Sequence, residues 1–137
     1  MSLFSSFSAP TSGVLTVTVI EARDLHSEDT FGTNDPFIEL WLDEEYKQRT
    51  SEVQSSNEPT WNETFTFNIE EGSSLHKIYF KVLDKDLVGD DTVGKAKLDV
   101  SEAISSGTPI DTWVSLPAHL GLSSHGEVHF FVQFEAL

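Results

Sequence analysis

The chain has no cysteine in its 137 residues. That excludes disulfides, thiolate zinc sites and a cysteine nucleophile. It leaves the compartment open, although small extracellular domains more often carry a covalent staple. Positive charge is also scarce. Eight Lys and Arg stand against 23 Asp and Glu, a formal net charge of -15. Nucleic-acid binding rests on cations meeting phosphates, so nucleic acid is not an expected partner. A constitutive grip on anionic lipid needs a basic patch and is disfavoured for the same reason. No apolar run approaches the length that spans a bilayer. The opening MSLFSSFSAPTSG has neither the positive start nor the apolar run of a signal peptide and is read as a flexible lead over residues 1–12. Ser2 stands where N-myristoylation needs glycine, and there is no C-terminal cysteine to prenylate. GxSxG, HExxH and phosphate-loop motifs are missing too, so no catalysis is expected.

What is present reads as one β domain over residues 13–137. The hydrophobic share is 38%, with ten Phe and three Trp, which argues against disorder. Alternation marks the strands. Leu15, Val17 and Val19 share a face. So do Ile38, Leu40 and Leu42, with Phe37, Glu39 and Trp41 opposite. Phe65, Phe67 and Ile69 follow, then Ile78, Phe80 and Val82 in a strand over 75–83, then a short strand over 92–98. Val128, Phe130, Val132 and Phe134 close the chain. A polar run over 47–53 predicts an edge strand, and 111–116 another strand with Trp113 filling a core end. DVSEAISSG predicts a single short helix, capped by Asp99 or Ser101 and ended by Gly107. Eight short strands with turn signals between them predict an all-β fold, an eight-stranded antiparallel Greek-key β-sandwich. A closed barrel shares the same pattern.

Two stretches between strands are strongly acidic. FKVLDKDLVGDDTVG puts Asp84, Asp86, Asp90 and Asp91 within eight residues, and Lys85 alone does not balance them. Carboxylates packed so closely repel unless a cation sits among them or water screens them. EARDLHSEDTFGTNDPF supplies Glu28, Asp29 and Asp35. Loops at one end of a Greek-key sandwich gather, and Asp29, Asp35, Asp84, Asp86 and Asp91 would then converge. Calcium takes six to eight oxygens from flexible carboxylate loops, and magnesium fits less well. Aspartate also favours turns on its own account, and spacing alone does not decide between the two.

Four segments together resemble the C2 domain, the calcium-dependent lipid-binding module, over about Gly13 to Phe134. GVLTVTVIEARDL resembles its opening strand and DTFGTNDPFIEL its first calcium loop. NEPTWNETFTF resembles its Asn-Pro-x-Trp-Asn-Glu signature, with Glu58 inserted between Asn57 and Pro59. VLDKDLVGDDTVG resembles its third calcium loop. The resemblance implies that Asp29, Asp35, Asp84, Asp86 and Asp91 ligate two or three calcium ions, with backbone carbonyls near Thr30 and Lys85. The third loop is one residue shorter than the common form, so Asp90 can stand in for Asp91; counting back from Gly94 favours Asp91. A final strand after the WVSL segment resembles the type II topology.

The resemblance also implies function. Calcium would switch the acidic loops from repelling to binding a phospholipid membrane, with Phe31, Leu87 and Val88 entering the headgroup region. The stretch FIELWLDEEYKQR is mostly acidic or apolar, so phosphatidylserine is expected over phosphoinositides. The expected place is the cytoplasm, reversibly at a membrane surface, in recruitment, signalling or trafficking. The rival is a calcium-independent or calcium-clamped protein-interaction module, in which outward Trp41 and Tyr79 contact a protein partner.

Overall fold

A computed structural model describes residues 6–27, 33–86, 89–118 and 124–137. Eight strands are present: β1 Gly13–Arg23, β2 Pro36–Trp41, β3 Gln48–Arg49, β4 Thr60–Ile69, β5 Lys77–Lys85, β6 Asp90–Asp99, β7 Ile110–Ser115 and β8 Glu127–Ala136. They form two four-stranded sheets, ordered β4-β1-β8-β7 and β3-β2-β5-β6. Every strand pair is antiparallel. The result is the Greek-key sandwich that the alternation predicts.

The inward rows meet as expected. Leu15, Val17 and Val19 are fully buried, as are Ile38, Leu40, Ile78, Val82, Val128, Phe130 and Val132. Phe80 and Phe130 cross the gap between the sheets edge to face, with centroids 4.8 Å apart. Each such side chain contributes about 1.5–3 kcal/mol by leaving water.

Several elements differ from expectation. Phe37 is buried although it lies on the outward row; Arg49 covers its ring at 4.4 Å. The expected polar strand shrinks to β3; just past it buried Thr50 accepts the Ile38 N–H on its hydroxyl at 2.9 Å, while its own N–H donates to the Ile38 carbonyl at 2.8 Å. Trp113 does not fill a core end. It lies on the outer face, stacked on His129 at 4.7 Å with Arg23 at 3.9 Å from its ring.

The helix α1, Ser101–Ser106, is capped by Val100 without a side-chain bond. The Asp99 carboxylate accepts the Ser101 N–H at 2.9 Å from just outside. Gly107, at φ 74°, ends the helix in the left-handed region that glycine enters without cost. Ahead of β1, Ala9 is buried; its N–H donates to Ser73 O and its carbonyl accepts from Gly72 N.

Candidate functional site

The two acidic stretches meet at one end of the sandwich because β2 and β5 are paired neighbours. The ladder sets Pro36 opposite Asp84, so Asp35 arrives beside that carboxylate. The Asp35 N–H donates to Asp84 Oδ1 at 2.8 Å. The Asp35 carbonyl accepts from Lys85 N at 3.1 Å, and its Oδ1 accepts from Ser55 N at 2.6 Å. Each carboxylate is thus oriented by a backbone N–H.

Strands β5 and β6 run further into the acidic stretch than the sequence predicts. Asp84 and Lys85 end β5, and Asp90 and Asp91 begin β6. The ladder sets Asp84 opposite Asp91 and Lys85 opposite Asp90. Residues directly opposite in an antiparallel pair share a face. Asp91 therefore lies on the face of Asp84, while Asp90 lies on the other, with Lys85 Nζ 3.8 Å from its carboxylate.

This crowding shows in the titration of Asp84. Burial pushes its carboxyl above the ordinary range and the Asp35 N–H bond pulls it back. The carboxylates of Asp35, Asp91 and Asp86 then push it up again. All of these donors are hard oxygens, the set calcium takes. Among the described residues no three Asp, Glu or His side chains form a ready-made ion-holding group. Asp29, Thr30, Phe31, Leu87 and Val88 lie outside the described residues.

The base of the first loop is braced by residues to which the sequence reading gave no role. Asn34 is buried, with 2% of its surface exposed. Its N–H and its Nδ2 both donate to Asn57 Oδ1, at 3.0 and 2.7 Å, and Nδ2 also reaches the His26 carbonyl at 3.0 Å. The Asn57 carbonyl in turn accepts Leu25 N at 3.1 Å. The Asn57 of NEPTWNETFTF is therefore a clamp on the loop that carries Asp35.

A second feature was missed. Lys95 and Lys97 are exposed on the outer face of β6, where β5 sets Lys81 and Tyr79 opposite them. With Lys47 and the Trp41 ring they line a groove of about 640 Å³. The alternation of GKAKLD, read for its pleat, would have placed both lysines outward.

A model of the C2 domain matches residues 13–116. The chain belongs to the C2 domain family. RasGAP-activating-like protein 1 of Mus musculus is 34% identical over 106 residues, covering 77% of this chain and 13% of that protein. Elicitor-responsive protein 1 of Oryza sativa subsp. japonica is 31% identical over 137 residues, 91% of this chain and 86% of that protein. A solved C2 domain-containing protein superposes with a TM-score of 0.75 at 27% identity, covering 97% of this chain and 96% of the other. This C2 chain spans 13–15% of the first curated relatives that it matches. A phospholipase A2 chain is matched over 18% of its length, in its non-catalytic C2 portion. No described helix is long and apolar enough to cross a membrane.

Proposed function

We propose that this C2 domain binds two or three calcium ions through Asp29, Asp35, Asp84, Asp86 and Asp91 and docks reversibly on phospholipid membranes. The observation that carries the reading is the meeting of Asp35, Asp84 and Asp91, from distant parts of the chain, at one end of the sandwich. The register favours Asp91 over Asp90 as the fifth carboxylate, because Asp90 faces away and toward Lys85. Carbonyls near Thr30 and Lys85 complete the donor set. The place of β8 between β1 and β7 supports the type II topology.

Bound calcium neutralises the aspartates and offers unfilled coordination positions to lipid phosphate or carboxylate oxygens. Two or three ions bring the net charge from -15 to about -11 or -9, so the chain as a whole stays acidic. Attraction must therefore be local, acting within a Debye length of about 8 Å. Phe31, Leu87 and Val88 add apolar burial, roughly 1.5–3 kcal/mol for each one fully inserted. This supports recruitment from the cytoplasm to phosphatidylserine-containing membranes.

The test pairs calcium calorimetry with sedimentation on phosphatidylserine vesicles, with and without chelator. Calcium-dependent sedimentation that Asp84→Asn with Asp86→Asn abolishes, in a variant that stays folded, supports the reading. Calcium heat without sedimentation reduces the ions to a structural clamp, and absence of calcium heat overturns the site.

A further inference from the structure

Strand β4 is the edge of its sheet and pairs only with β1. Its first half is covered from the other side. The Glu63 carboxylate accepts the Ser51 N–H and the Ser51 hydroxyl, both at 3.0 Å, and Trp61 Nε1 donates to the Ser51 carbonyl at 2.9 Å. Over residues 64–69 the hydrogen-bonded cover among the described residues shrinks to one side chain. Gln48 Nε2 donates to the Thr66 carbonyl at 3.0 Å. That carbonyl therefore points away from β1. The alternation of an antiparallel ladder turns the backbone groups of Thr64 and Asn68 the same way. This stretch, TFTFNI, has no charge and no proline, the devices that ordinarily blunt an edge. It borders a groove of about 930 Å³ whose floor includes buried Leu42 and Phe67. Tyr46 and Leu75 rim the groove at 70% and 42% exposure, two of the four exposed large hydrophobic residues among those described. Asp43, Glu70 and Glu71 also line it, and among the described residues no Lys, Arg or His does.

We propose that an extended polypeptide segment carrying basic and apolar side chains docks here by adding a strand to β4. Three observations select that occupant. First, the edge: outward backbone groups recur at alternate residues of β4, the pattern that an added strand satisfies. The segment takes over the Thr66 carbonyl from Gln48. Second, the rim: Tyr46 and Leu75 leave apolar surface in water beside that edge, and an apolar side chain of the segment covers it. Third, charge: Asp43, Glu70 and Glu71 stand together with no cation in the groove, so basic side chains complement it. The same charge disfavours a second copy of this chain, which would bring -15 and its own carboxylates to the edge. This docking needs no calcium and does not depend on the aspartate end of the fold.

The test uses the full chain in chelator, by calorimetry, with octapeptides alternating Lys-Val, Lys-Ser or Glu-Val. The Lys-Val peptide should bind about tenfold tighter than the other two, and more weakly as salt rises. Only alternate backbone N–H groups of an added strand face β4. N-methylating the Lys residues in one peptide and the Val residues in another should therefore abolish binding of one and spare the other. Glu70→Gln with Glu71→Gln should weaken Lys-Val binding about tenfold, and so should Tyr46→Ser with Leu75→Ser. All four positions are exposed, so these variants should stay folded, as circular dichroism will check. The proposal is overturned if the Lys-Val peptide does not bind, if both N-methylated peptides bind like the parent, or if the variants bind it unchanged. A dimer in analytical ultracentrifugation that Tyr46→Ser with Leu75→Ser dissociates would give the edge to a second copy and overturn it too.

Discussion

Asp84 concentrates the conflict of the calcium-free protein in one carboxyl. It accepts the Asp35 N–H that fastens the two acidic stretches together, yet it is pushed toward its neutral form by burial and by Asp35, Asp91 and Asp86. A carboxyl whose pKa is raised by folding stabilises the fold when protonated. That stabilisation is full below the ordinary aspartate range and is lost as pH rises through the raised value. At neutral pH the ionised group is therefore a cost. Asp84→Asn keeps an oxygen to accept the Asp35 N–H but removes the charge. We expect it to raise calcium-free stability at pH 7 by roughly 0.5–1 kcal/mol, the size of a partly exposed charge interaction. The gain should fade as pH falls toward 4, as thermal melts at both pH values will read, while calcium heat falls. Asn57 gives the opposite case. Asn57→Ala strips the acceptor from both nitrogens of buried Asn34, and an orphaned buried donor costs about 1–3 kcal/mol. Urea denaturation should show that loss, and calcium affinity should drop with it because the base of the first loop loosens. The sequence placed Asp84 among the converging aspartates but did not show its bond to the Asp35 N–H, and it gave Asn57 no role. A one-dimensional string shows that Asp35 and Asp84 are acidic, not that strand pairing sets them side by side.

Among the strands, β7 is an edge strand paired only with β8. His129 of β8 ties it down. Its Nε2 lies 2.6 Å from Asp111 Oδ1 of β7, and its Nδ1 lies 3.2 Å from Glu21 Oε2 of β1. Trp113 stacks on its ring, with Arg23 beyond and paired to Glu127 at 3.2 Å. Burial disfavours the charged imidazole, but the bonds to Asp111 and Glu21 outweigh it and raise the pKa. The contribution is therefore full below the ordinary histidine value and lost as pH rises through the raised one. His129→Gln should cost about 1 kcal/mol at pH 5.5 and much less at pH 9, which paired melts will show. If the cost is equal at both, protonated His129 is not what holds β7. The periodicity that made Val128, Phe130 and Val132 legible as core says only that His129 points outward. Its partners come from strands more than 15 residues away, and no pattern local to β8 contains them. Acidic composition misled in a second way. It suggested that the stretch 84–91 is all loop, whereas cross-strand pairing carries β5 to Lys85 and starts β6 at Asp90.

At the scale of the whole molecule the charge is divided unevenly. The aspartate end gathers negative charge, while half of the chain's cations line one groove on a sheet face. Two kinds of cation should then stabilise the fold by separable routes. Monovalent salt screens diffuse repulsion, so melting temperature should climb gradually with sodium chloride whatever stands at positions 84 and 86. Under the proposed function, calcium would act by linkage to a folded-state site. Its stabilisation should reach about 2.7 kcal/mol at one hundred times its Kd, and it should saturate in affinity rather than in ionic strength. Asp84→Asn with Asp86→Asn should erase the calcium increment and leave the sodium chloride slope in place. A double variant that loses both responses would mean that the acidic end is diffuse surface charge. A wild-type protein whose calcium response merely parallels that of sodium at equal ionic strength would mean the same. In either case the meeting of Asp35 with Asp84 would be a strand-pairing device rather than the floor of an ion site.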